Sequence, residues 1–139
     1  MRQRLNLILL GVDDLAQSMA FYEALGWPKA ASSHAQFVKF DLGGVVLGIQ
    51  SRTAFAQDVQ LPISQDGGFS GFALAYIARD PADVPRILDK AATLGATIVK
   101  PATRNAWGIA GYFRDPNGHL FEVLYEDGWV FDEDDNLIV

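Results

Sequence analysis

Few residues in this chain can do chemistry, and they are unevenly placed. There are 17 Asp and Glu, 11 Lys and Arg, 2 His and no Cys. Without cysteine there is no disulfide scaffold, thiol nucleophile, Cys-type zinc site or iron–sulfur cluster. Glu122 stands out among the acids because it lies in an apolar, strand-like run from His119 to Tyr125. A carboxylate among such neighbours must find a partner, or its pKa rises. Because no Lys or Arg is expected in the strands around it, the expectation is a raised pKa. That would suit a general acid or base, or the grasp of a cationic or hydroxyl-bearing ligand. His119 precedes Glu122 by three residues, and odd offsets in a strand point to opposite faces. His34 falls in the loop-like stretch Ser32-Ser33-His34. Neither histidine is expected to join Glu122, and transition metals need several convergent donors.

The rest of the composition narrows the class. A chain of 139 residues suits a single domain, here 1–139. With 50% hydrophobic and 20% charged residues it is not a disordered chain. The net charge of −6 argues against nucleic acid, whose phosphates want a basic face. Glu126, Asp127, Asp132, Glu133, Asp134 and Asp135 crowd the C-terminal end, so 127–139 reads as a solvated acidic tail. No apolar run reaches the roughly 18 residues of a membrane span. Leu5 to Leu10 is too short for the core of a signal peptide. A soluble, unprocessed, cytoplasmic chain is expected.

The elements that must position Glu122 come in a repeated order. Leu5 to Leu10 reads as a buried strand ending at Gly11. Asp14-Leu15-Ala16-Gln17 has the form of a capping box. Leu15, Met19, Tyr22 and Leu25 follow at helical spacing, and Gly26 ends the helix. Phe37 to Leu42 and Val45 to Gln50 form a hairpin across Gly43-Gly44. In the second half Phe72 to Ala78 is strand-like. Val84, Ile87, Leu88, Ala91 and Leu94 then make a helical stripe closed by Gly95. Thr97 to Lys100 is a short strand. Gly111 to Arg114 and His119 to Tyr125 are joined by the turn Asp115-Pro116-Asn117-Gly118. Each half, about 5–50 and 71–126, reads strand, helix, then antiparallel strands. The connection 51–70 shows no period and reads as a loop.

These residues resemble the vicinal oxygen chelate superfamily, which includes glyoxalase, bleomycin-resistance and extradiol dioxygenase proteins. The carriers are Gly11-Val12-Asp13-Asp14-Leu15, Ala20-Phe21-Tyr22, Leu25-Gly26-Trp27 and the run Gly111 to Val123. The pair Trp107-Gly108 points toward the bacterial glyoxalase-like proteins. The resemblance implies an α+β fold of two β-α-β-β-β modules, forming a half-open, eight-stranded, barrel-like sheet around a pocket. It also implies a homodimer and, in the family's enzymes, a divalent metal held by up to four side chains. Glu122 matches one ligand position, four residues after Gly118. The other positions fall on Leu7, Gly48 and Ala73, none of which can ligate. No cofactor is therefore expected.

Strand parity then gives a candidate lining. If Glu122 faces the pocket, Leu120 and Leu124 share its face, and Leu7, Leu9, Gly48, Gln50, Ala73 and Ala75 join from the other strands. Gly48, Ala73 and Ala75 are small where bulk would fill the space. Tyr112 and Trp107 are the expected aromatic lining. Ile8, Leu10, Val45, Leu47, Ile49, Phe72, Leu74, Phe121 and Val123 should pack under the helices. The expected function is the binding of a small, partly apolar, neutral or cationic molecule in a metal-free pocket. The alternative is a metal-dependent lyase or dioxygenase with an altered metal site.

Overall fold

A computed structural model describes residues 5–64 and 68–138. The chain divides into two compact units, Met1–Gly67 and Gly68–Val139.

In the first unit β1 (Leu7–Val12) leads into α1 (Leu15–Leu25). The helix starts where the Asp14 carboxylate accepts the Gln17 N–H at 2.9 Å, as the capping sequence predicts. It ends at Gly26, whose φ of 114° is costly for any residue with a side chain. β2 (Phe37–Asp41) and β3 (Val46–Ser51) form the expected hairpin. The sheet order is β1-β3-β2, with β1 parallel to β3. Leu10, Val12, Val38, Phe40, Leu47 and Ile49 are buried on one face, with Phe21 and Tyr22 of α1. The buried side of α1 is Ser18, Phe21 and Tyr22, so Leu15 and Met19 stand on its flank and not at its centre.

The connection 51–70 is not a plain loop. Arg52–Val59 form α2, with the Ser51 hydroxyl accepting the Ala54 N–H and Gln60 closing the helix in the left-handed region. No α2 residue is fully buried, so its sequence carries no apolar stripe to betray it.

The second unit repeats the plan. β4 (Leu74–Ile77) is shorter than expected and leaves Phe72 outside it, 54% exposed. α3 (Asp83–Thr93) buries Val84, Leu88 and Ala91. β5 (Thr97–Arg104), β6 (Gly108–Arg114) and β7 (Leu120–Glu126) follow. The sheet order is β4-β7-β6-β5, with β4 parallel to β7. Pro101 lies where the β5–β6 register shifts, which suits an edge strand that need not donate there. α3 packs so closely on β6 that a Cβ on Gly111 would stand 2.4 Å from Leu88 Cδ1. Phe113 and Phe121, register partners, stack on this face with ring centroids 5.0 Å apart.

The fold is thus α+β; among the described residues the sheets hold three and four strands, and an eight-stranded sheet is not seen. What would be the first unit's missing strand is a single bridge, Lys29 to Phe40. Nor is the acidic tail a free one. Phe131 bridges to Leu137, and the Arg79 guanidinium sits 3.6 Å over the Phe131 ring while pairing with Asp135.

Candidate functional site

The register of the second sheet places Glu122 in a row of four. Ala75 on β4, Glu122 on β7, Tyr112 on β6 and Lys100 on β5 are successive cross-strand partners. Phe113, Phe121 and Gly111 face α3, so the row lies on the other face of the sheet. Glu122 and Ala75 lie on the face opposite to Phe121, as strand alternation predicts, and Tyr112 shares that face. Both Tyr112 and Glu122 are half-buried. Ala75 is small and exposed beside the carboxylate, which leaves that flank open.

The Tyr112 hydroxyl donates a hydrogen bond to Glu122 Oε1. The carboxylate has found its partner, and that partner is a neutral donor. The tyrosine pKa is pushed up to about 12, first by this hydrogen bond, then by burial, then by the negative charge of Glu122. The phenol therefore keeps its proton and directs it at the carboxylate. A ligand hydroxyl or ammonium reaching Glu122 would meet an acceptor and, beside it, a phenolic oxygen that can also accept, its one proton being given to Glu122.

The strands beside Glu122 do carry basic residues on its face, Lys100 and Arg114, contrary to the expectation. Lys100 Nζ lies 5.9 Å from the Tyr112 ring centroid. Arg114, two residues from Tyr112 on β6, shares its face and hydrogen-bonds the carbonyls of Gly118 and Gly68. The sequence reading confined the basic residue of Thr97–Lys100 to a short strand and did not bring it to Tyr112.

The remaining lining residues separate. Leu7, Leu9, Gly48 and Gln50 share one face of the first sheet, with Leu9 opposite Gly48. The space over Gly48 is filled: a Cβ there would stand 2.5 Å from Phe37 Cζ and 3.1 Å from Leu9 Cδ2. The glycine makes room for the Phe37 ring, not for a ligand. Ala73 precedes β4, and Ala75 is the residue beside Glu122. Trp107, 44% exposed, lies just before β6, about 17 Å of chain from Tyr112. The Asn105 carboxamide accepts the backbone N–H groups of Trp107 and Gly108, which sets the turn into that strand. His119 lies in the turn, where its Nδ1 is 3.0 Å from Asp115 Oδ2, a carboxylate that also accepts the Asn117 and His119 N–H groups.

The residues do not fit the four-ligand metal centre. The Glu122 carboxylate is engaged by Tyr112, its cross-strand neighbours are Ala75 and Tyr112, and the counterpart position is Gly48 beside Leu9. Among the described residues no three His, Asp or Glu converge in a way that could hold a metal ion. Nor is any described helix long and apolar enough to cross a membrane.

Comparison with solved structures gives the same architecture. The chain is similar to a glyoxalase-related enzyme from Fulvimarina pelagi, with 26% identity over 99% of this chain and 98% of that one, and a TM-score of 0.87. It is similar in fold to a glyoxalase/bleomycin resistance protein/dioxygenase family enzyme from Burkholderia phytofirmans PsJN (20% identity, 88% and 98% coverage, TM-score 0.77). A lactoylglutathione lyase from Agrobacterium tumefaciens shares the fold at 24% identity, with 95% and 100% coverage and a TM-score of 0.67. Among curated proteins none matches. The model of one family matches residues 4–123, which span both repeated units and end one residue past Glu122. The chain belongs to the Glyoxalase/Bleomycin resistance protein/Dioxygenase superfamily.

Proposed function

We infer that this protein binds a small, partly apolar molecule, neutral or cationic, at the Glu122–Tyr112 pair and does so without a metal. The observation that carries the reading is the pair itself. A carboxylate in the family's ligand position accepts a phenolic hydrogen bond beside an open alanine, and among the described residues no three His, Asp or Glu group together to hold a metal ion. Glu122 is the group that accepts a hydroxyl or ammonium of the ligand, and Leu120, half-buried two residues away on the same strand face, supplies apolar contact area. If a reaction follows, Glu122 is its general base and Tyr112 the group that returns the proton.

We place the protein in the cytoplasm, which suits a chain without cysteine. We also assign it a homodimeric state. Leu5, Leu7 and Leu9 are 73%, 42% and 36% exposed, and β1 is an edge strand, a combination that favours association. Sedimentation at micromolar concentration should give twice the monomer mass; the monomer mass would contradict it.

The binding reading is tested with a thermal-shift panel of small aromatic and aliphatic amines and alcohols. Compounds that stabilise the wild-type chain should lose that effect on Glu122→Gln and keep it in the presence of a chelator. Hits that need an added divalent metal would refute the reading. So would turnover of the glutathione–methylglyoxal adduct that stops on chelation.

A further inference from the structure

We propose that the first unit carries a second small-ligand site, a cleft on the helix side of its sheet that takes a short-chain aliphatic carboxylate. The cleft measures about 460 Å³, within the range of small-molecule sites. Its walls include Leu15 and Met19 of α1 and Val38 of β2; Lys29, Ser33 and His34 come from the connection between them. The cleft exists because the fold is incomplete here. In the second unit α3 packs on an eight-residue edge strand, β5. In the first unit that strand is reduced to the bridge between Lys29 and Phe40, and the room beside α1 stays open.

The lining selects the ligand. Leu15 and Met19 are half-buried on the flank of α1, offering apolar surface to whatever enters. Methionine adapts its shape to such an occupant at little cost. Lys29 is the one charged residue of the lining, and among the described residues it forms no ion pair. Its bridge partner Phe40 is fully buried on the helix side, so Lys29 stands on the cleft's own face. His34 borders the cleft, but its bridge to Phe37 and the ring contact at 6.2 Å turn the imidazole toward Phe37, so Lys29 alone supplies the charge. Ser33 is occupied: its hydroxyl accepts the Lys39 N–H at 2.9 Å and faces the Lys39 carbonyl at 3.4 Å. The polar end of the cleft thus offers the Lys29 ammonium, and no carboxylate lines it. The chain's net charge of −6 opposes an anion mainly at long range, where physiological salt screens it within about 8 Å.

Octanoate is the probe. The chain has 2 methionines, so a methyl-labelled sample gives one signal for Met19 and one for reference. Octanoate should shift the Met19 methyl saturably and leave the reference in place, while octylammonium at the same concentrations should not. Lys29→Gln, a change at an exposed position, should weaken octanoate roughly threefold to tenfold. A response that never saturates, an equal response to octylammonium, or unchanged octanoate affinity in Lys29→Gln overturns the proposal.

Discussion

The two units share a frame and differ in what they place on it. Each lays a helix on one face of a sheet, with its first strand parallel to its last and a hairpin between the final two. Four residues after the hairpin glycine the first unit has Gly48 and the second has Glu122. Around Gly48 stand Leu9 and Lys39 in register, and the Phe37 ring covers it. Around Glu122 stand Ala75 and Tyr112, and the phenol bonds the carboxylate. One copy is plugged by an aromatic ring and the other keeps a proton-holding pair. On the helix side the contrast reverses: β5 completes the second sheet, and its absence opens the first. A duplicated frame can carry chemistry on opposite faces of its two copies.

The sharpest way to break the comparison is to put the missing acid back. Gly48→Glu should cost about 3 kcal/mol in denaturant unfolding, because even its Cβ collides with Phe37. Adding Phe37→Ala should recover part of that loss, so the double substitution should be less damaging than the sum of the two. Strictly additive losses would mean that Phe37 is not the plug.

Glu122→Gln probes the other copy. It should change unfolding free energy by less than about 1 kcal/mol, since the Tyr112 hydroxyl that Glu122 accepts is neutral and Gln can receive it too. It should weaken a hydroxyl-bearing or cationic binder by about 1.5–3 kcal/mol, the range for a hydrogen bond to a charged group. Calorimetric titration measures the second and denaturation the first.

Tyr112 reports on the pair from its other end. With its pKa at about 12, the tyrosine binds its proton more tightly when folded than when unfolded, where about 10 is usual. The stability this adds is complete below about pH 10 and is lost as pH rises toward 12. In Glu122→Gln the Tyr112 ring-carbon titration should move down toward 10, and that alkaline loss should shrink with it. An ordinary titration in the wild-type chain would mean that the hydrogen bond does not form in solution.

The smallest effect belongs to the tail that only the second unit carries. The side-chain and backbone N–H groups of Asn136 hold the Asp132 carboxyl below its usual range. That contribution is present above the unfolded value near 4 and is lost as pH falls through the lower folded value. Amide signals across the Phe131–Leu137 bridge should weaken in acid before those of β6 and β7 do. Simultaneous loss would tie the tail to the core instead.

Much of this frame is legible in the residues. Gly26 and Gly95, the Asp14–Gln17 cap and both hairpin turns are local signals, each satisfied within a few positions of chain. The Tyr112–Glu122 contact was within reach as well: Arg114 and Leu120 flank the turn, and residues equidistant from it pair. Other features depend on partners far along the chain. That Phe37 would lie over Gly48 follows from how a ring tilts, which alternation does not encode. α2 is written in mixed polar residues that bury nothing completely. The first unit's lost strand shrank to one bridge, too short for any period to appear. Lys100 reaches the Tyr112 row only through a register shift at Pro101.

The central claim is that Glu122 and Tyr112 bind a ligand without a metal. It is tested most directly by elemental analysis of protein purified without chelator, combined with the affinity of the tightest binder from the panel before and after chelation. The account predicts no stoichiometric metal, an affinity untouched by chelation, and a weaker complex in Glu122→Gln. About one zinc, nickel, iron or manganese per chain, with binding lost on its removal, would contradict it.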